Sequence, residues 1–365
     1  MEGWIRQGEG NPQYGDSTAP AVGRVRRTPG ADDGAVAWRR VRAVRMIGAV
    51  NTPAIRLRGV TKRFDRKTAV RDLDLEIPHG SIYGLIGPNG AGKTTTLRII
   101  LDIIGPDAGS VDVFGSPNVE SMRTRIGYLP EERGMYQKMT AADHLAFFGQ
   151  LKGLKRKDAL ARARSGLDAV GLGDRADDKV ETFSKGMAQK AQFLGVILHE
   201  PDLLVLDEPF SGLDPLNVEL FKQLLQERQQ AGATILLSTH LIEDAERLCE
   251  RVCMIAGATK VLDGRVRDIK AAAGRRDIAL SFEGNPTFLD APDLIEDISA
   301  HGTYVEVRML EGADPQALLR RAVDSGALIS RFELIEPSLR QIFIEKATEA
   351  GLSHEDESED DEAAA

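Results

Sequence analysis

The stretch GPNGAGKTT at residues 87–95 decides the fold. It fits the pattern G-x-x-x-x-G-K-[ST], which is informative only between a strand and a helix. Both neighbours are legible. SIYGLIG (81–87) is a short apolar run of the kind that forms a buried strand. TTLRIILDII (95–104) carries Leu97, Ile100, Leu101 and Ile104 at the i, i+3, i+4, i+7 spacing of an amphipathic helix, and Gly105 and Pro106 follow as stop signals. In such a strand–loop–helix unit the glycines let backbone N–H groups turn toward a phosphate chain, and the helix N-terminus adds partial positive charge. The expected cradle is Gly87, Pro88, Asn89, Gly90, Ala91 and Gly92. Lys93 would reach β- and γ-phosphates, the Thr94 hydroxyl would sit on Mg²⁺, and Thr95 would serve the α-phosphate region. A plain helix-capping turn is the alternative, and the flanking elements argue against it.

Two further apolar runs bring polar groups toward this loop. LLVLDEP (203–209) places Asp207 and Glu208 at the end of a strand, where open α/β sheets gather ligands. Asp207 would hold Mg²⁺, directly or through water, and Glu208 would polarise an attacking water as general base. ATILLSTH (233–240) ends in His240. A lone histidine there is either structural or, on a neighbouring strand end, aimed at the γ-phosphate and at the water of Glu208.

Around this core the chain divides by composition. It has 365 residues, enough for two or three domains, with 42 % apolar and 28 % charged residues. Mean hydropathy is −0.24 and no run of 18 apolar residues occurs, so a membrane-spanning segment is not expected, nor is a signal peptide. Two cysteines, Cys249 and Cys253, fit a reducing compartment and read as small buried thiols rather than a zinc site. The net charge of −9 disfavours coating of nucleic acid. Its distribution is uneven: residues 1–50 carry +3, EDESEDDE (355–362) carries −7, and 51–354 carry −5. Residues 1–50 and 349–365 are expected to be disordered tails, one basic and one acidic. RRVRAVR (39–45) is either a tail without a role or a contact for an anionic membrane surface. Ordered patterning begins just after Met46, which leaves Met46 open as a start.

Alternation at IRLRGVTKRF (55–64) and LDLEI (73–77) predicts strands, and 138–200 reads as helical. Strands alternating with helices predict a mostly parallel α/β sheet. After residue 270, DIALSFEG, TYVEVRML and ALISRFELIE read as strands, and ADPQALLRRAVDSG and PSLRQIFIEKA as helices. That is a small α+β unit over about 275–347.

The motifs GPNGAGKTT, YLPEERG (128–134), FSKGMAQK (183–190), LLVLDEP, SGLD (211–214) and STH (238–240) stand in an order that resembles the ATP-binding subunit of ABC transporters over about 54–270. The LPEERG loop, the FSKG signature and the ending EPSLRQIFIEKA are similar to the branch that serves drug or sodium exporters with separate membrane subunits. The resemblance implies a P-loop NTPase cassette with a RecA-like core, a helical subdomain and an antiparallel β subdomain, followed by the small C-terminal domain. It implies that Phe64 stacks on adenine, an arrangement a ring makes without hydrogen bonds. It also implies that Ser184 and Gly186 bind the γ-phosphate of a partner subunit's ATP, and that Asp214 speaks across the dimer interface. A Phe at a strand end also suits a core position. Two departures stand out: Glu131 replaces the usual Gln of the loop that contacts Mg²⁺ and the membrane subunit, and Lys185 and Met187 replace the usual Gly and Gln of the signature.

The implied function is ATP hydrolysis that powers a separate integral-membrane permease, from a peripheral position on the cytoplasmic face, through a homodimer or a dimer with a similar subunit. A soluble ATPase acting on ribosomes or DNA would show tandem cassettes or coiled coils. A nucleotide-gated regulatory subunit would not need intact Lys93, Asp207 and Glu208. The cargo is not legible.

Overall fold

A computed structural model describes residues 52–132, 134–273, 277–335 and 337–351. The expectations for residues 1–50 and for 352–365 lie outside the described residues, whereas Glu349, expected at the start of the acidic tail, ends the last helix. In chain order the elements are β1 (Ile55–Phe64), β2 (Lys67–Ile77), β3 (Ile82–Ile86), α1 (Lys93–Ile100), β4 (Ala108–Val113), β5 (Ile126–Leu129), α2 (Ala141–Leu151), α3 (Arg156–Ala169), α4 (Lys185–Ile197), β6 (Leu203–Asp207), α5 (Pro215–Gln230), β7 (Thr234–Thr239), α6 (Ile242–Leu248), β8 (Arg251–Ala256), β9 (Thr259–Arg265) and α7 (Val266–Ala273). The last part adds β10 (Asp277–Glu283), β11 (Ile295–His301), β12 (Tyr304–Met309), α8 (Pro315–Asp324), β13 (Leu328–Ile335) and α9 (Leu339–Glu349).

The central sheet runs β5-β6-β7-β3-β8-β9, parallel except for β9. Strands β3, β6 and β7 are buried throughout, as a sheet covered on both faces requires. Alternation then sorts their side chains. Tyr83, Leu85, Leu203, Val205 and Leu236 pack toward α1 and the antiparallel sheet β2-β1-β4. Ile82, Ile86, Leu204, Leu206, Ile235 and Leu237 pack with apolar residues of α2 to α6. This is the doubly covered α/β core expected from the sequence, with its antiparallel β layer and its helical part.

Helix α1 is shorter than its apolar stripe predicts. It ends at Ile100, and Asp102 takes the left-handed conformation (φ 55°) before Gly105 is reached. Leu97, Ile100 and Leu101 are buried as expected, Ile104 packs partly buried against the same core, and Ile103, off the stripe, is 54 % exposed.

The C-terminal strands form a sheet β11-β12-β10-β13 around their own core of Ile278, Leu280, Val307, Met309 and Leu318. Helix α9 joins this unit to the rest. Its N-terminus carries a capping box of Ser338 and Gln341, and Gln341 also donates to Glu306 at 2.7 Å. Leu339 and Ile342 of α9 are buried in the core that also holds α5 and α6, and the Leu339 N–H donates to Glu246 of α6 at 3.0 Å.

Two histidines carry a pH dependence. His144 of α2 is 2 % exposed, and His144 and His199 each bury an Nδ1 without a hydrogen-bond partner among the described residues. They line a cavity of about 230 Å³ with Phe148 and Lys152. Burial pushes both imidazoles down to about 4 from the ordinary 6.5. Between those values the unfolded chain binds more protons than the folded one, so stability falls as pH drops from 6.5 toward 4. The slope is at most about 1.4 kcal/mol per pH unit for each histidine. The His144 ring lies 4.9 Å from that of Phe148, so His144→Phe keeps a ring in place. Chemical denaturation across this range should show a shallower pH slope for that variant. An unchanged slope would contradict the assignment.

Candidate functional site

The loop after β3 is shaped by close backbone approach. A Cβ on Gly87 would collide with the Ile255 carbonyl, and one on Gly92 with the Ala69 carbonyl. Gly92 also has φ 104°, which side chains rarely adopt, and it caps α1. Gly87 N–H donates to Thr239 O at 3.4 Å, which ties the loop to the end of β7, and Ala91 N–H donates back to Pro88 O. Asn89 and Gly90 are exposed, so the rim of the loop faces solvent.

Lys93 is 6 % exposed. Its Nζ donates to the Gly87 and Pro88 carbonyls at 2.8 and 3.0 Å and lies 3.6 Å from Glu208 Oε1. Burial lowers its pKa, and the charges of Glu208, Asp207 and Glu131 work against that shift. An anion arriving at the loop therefore meets a cation that is poorly solvated and only partly neutralised.

Parallel register sets Asp207 opposite Ser238. Ser238 Oγ donates to Asp207 Oδ1 and accepts the Glu208 N–H at 3.2 Å. Thr94 Oγ1 donates to the same Asp207 oxygen at 3.1 Å. Asp207 is 1 % exposed, yet its Oδ2 has no hydrogen-bond partner among the described residues. A buried carboxylate oxygen left over beside a hydroxyl suits a hard cation that takes oxygen ligands, so these residues fit Mg²⁺. Glu131, on the exposed loop after β5, contributes its charge to the same region.

Glu208 is 6 % exposed and takes φ 46°, a costly conformation for a non-glycine residue. The turn carries its carboxylate to His240, whose Nδ1 lies 3.0 Å from Glu208 Oε1. The His240 side chain is 41 % exposed, unlike a core histidine. The fold thus collects residues 87–95, Asp207, Glu208 and His240 at one end of the sheet. Ser238, to which the sequence reading assigns no role, holds Asp207 and Glu208 in register; its signal is a hydroxyl two residues before His240.

The remaining predicted residues lie elsewhere. Phe64 is 47 % exposed at the end of β1, with Lys62 5.5 Å from its ring, so it is not a core residue. Ser184 caps α4 by accepting from the Met187 N–H. Asp214 caps α5, and hydrogen bonds from Asn217 hold its carboxyl below the usual range. The first turns of the two helices lie close: a Cβ on Gly186 would lie 3.4 Å from the Asn217 amide, and Gln189 donates to Ser211 O at 3.3 Å. Among the described residues no hydrogen bond or ion pair joins Ser184 or Gly186 to residues 87–95.

Residues 70–211 match the family model for ABC transporters, and residues 264–347 match the C-terminal domain of DrrA1-3-like ATP-binding proteins. The chain is 40 % identical over 287 residues to the Bacillus subtilis protein described as the uncharacterized ABC transporter ATP-binding protein YhaQ. That alignment covers 79 % of this chain and 96 % of the relative. It is 32 % identical to the daunorubicin/doxorubicin resistance ATP-binding protein DrrA of Streptomyces peucetius, covering 75 % and 82 %. A solved ATP-binding subunit of an ABC transporter superposes with a TM-score of 0.57 at 30 % identity, covering 60 % of this chain and 93 % of that one. The chain belongs to the ATP-binding subunits of ABC transporters and is an ATPase of that class.

Proposed function

We propose that the chain hydrolyses ATP at residues 87–95, Asp207, Glu208 and His240 to drive export by a separate integral-membrane permease. The observation that carries the reading is the pair Glu208–His240 at 3.0 Å beside a buried Lys93. Adenine stacks on Phe64, and the Lys93 ammonium turns from its loop carbonyls to donate to the β- and γ-phosphates. Thr94 and Asp207, with Glu131, are the ligands for Mg²⁺, which when bound neutralises developing phosphate charge. Glu208 accepts the proton of the attacking water, and His240 holds the carboxylate and the γ-phosphate in line. Thr95 and the N–H groups of Gly90, Ala91 and Gly92 complete the cradle.

Ser184, Gly186 and Asp214 then act on the ATP of a second copy or of a similar subunit. Two ATP molecules are sandwiched, closure follows binding, and opening follows hydrolysis. A difference of a few kcal/mol between the open and closed states suffices to move a bound permease. Export, rather than import, is supported by the DrrA-like C-terminal domain and by the resistance function that the name of the Streptomyces relative prints. Among the described residues no helix is long and apolar enough to cross a membrane, so the position proposed is peripheral, on the cytoplasmic face. A tagged chain isolated from detergent-solubilised membranes should bring down an integral-membrane protein. Recovery of soluble proteins alone would contradict the reading.

A further inference from the structure

The register pairs β6 with β7 as far as Asp207 and Ser238, and the Glu208 N–H is still held by Ser238 O and Oγ, each at 3.2 Å. Beyond them one chain continues through Glu208 to Phe210 and the other through His240 into α6, and the contact between Glu208 and His240 depends on how far these segments diverge. A groove of about 450 Å³ is lined by Phe210, Leu213, His240 and Asp244 among others, while the Phe210 ring is buried in the apolar core that also holds Ala245 of α6. Lys222 of α5 lines the same groove.

The Lys222 side chain is only 9 % exposed. Its Nζ lies 2.9 Å from Asp244 Oδ1 on α6, four residues after His240, and 3.2 Å from Glu219 on its own helix. It also sits 5.9 Å from the centroid of the buried Phe210 ring, two residues after Glu208. Glu219 is 72 % exposed and adds little hold, whereas Asp244 is 21 % exposed. One buried cation therefore touches both segments that carry the reacting pair.

We propose that Lys222 is a positioning residue that keeps Glu208 and His240 in contact by bracing Phe210 against Asp244. The proposal rests on the reading of Glu208 as the base. It acts on turnover rather than on ATP affinity, because neither Phe210 nor Asp244 belongs to the phosphate loop.

The test is steady-state ATP hydrolysis by the full chain with Lys222→Met, Lys222→Arg and Lys222→Met/Asp244→Asn, with Glu208→Gln alongside. Lys222→Met keeps the apolar stem and should lower kcat about 10- to 100-fold, the cost of a misplacement near 1 Å, with KM for ATP and melting temperature near wild type. Lys222→Arg should recover most of kcat. The double variant strands no charge, folds even where Lys222→Met does not, and should stay as slow as Lys222→Met. Wild-type kcat in Lys222→Met, no rescue by Arg, or recovery in the double variant would overturn the brace. If Glu208→Gln keeps full turnover, the reading of the base fails instead.

Discussion

Replacing Glu208 by Gln lowers kcat for ATP hydrolysis by about 10²- to 10⁴-fold, the span of a positioned general base. Gln has the shape of Glu and can still meet His240 Nδ1 at the observed 3.0 Å, so the turn that presents it survives. What disappears is the acceptor for the proton of water and the negative charge 3.6 Å from Lys93. ATP binding should therefore persist while turnover collapses, with KM changing far less than kcat. Phosphate release measured across ATP concentrations separates the two. Turnover at the wild-type level would remove Glu208 from the chemistry and favour a regulatory, non-hydrolysing subunit.

Lys93→Met has the opposite signature: binding itself is lost. The ammonium is buried and already donates to the Gly87 and Pro88 carbonyls, so it is oriented before any phosphate arrives. Truncating one partner of a buried, hydrogen-bonded charge pair across a binding interface costs about 2–5 kcal/mol, which weakens ATP binding by roughly 30-fold or more. Burial holds the pKa of Lys93 below its ordinary range, so the charged lysine carries a desolvation cost that methionine lacks. Affinity should fall without a matching fall in melting temperature. Titration with a fluorescent ATP analogue, beside a thermal melt, checks both. Affinity within twofold of wild type would contradict the role of Lys93.

These effects trace to residues whose type and spacing announce their chemistry. Backbone collisions demand Gly87 and Gly92 and a positive φ favours Gly90, and such demands leave a readable pattern. Asp207 and Glu208 are legible because an apolar strand ends on them. The left-handed turn at Glu208 is not, because nothing in Asp-Glu-Pro specifies φ 46°. Among the strands, β4, β5, β8, β9 and β11 escape; β11 has six of its seven residues exposed, and β5 is too short at four residues for a period. The early end of α1 is set by Asp102 turning left-handed, where the stripe alone predicts continuation to Ile104. The role of Lys222 becomes visible only in three dimensions, since it acts by touching segments brought together by the sheet, and Ser238 leaves no more signal than its hydroxyl two residues before His240.

Two copies are needed if the caps at Ser184 and Asp214 serve ATP held by another chain. The specific rate of ATP hydrolysis, measured for the purified chain over a wide range of protein concentration at saturating MgATP, tests this most directly. The rate per chain should rise with concentration at the dilute end and level off once dimers dominate. A rate per chain that stays constant down to the lowest concentration, with a monomeric mass by light scattering in MgATP, would contradict catalysis by the paired subunits.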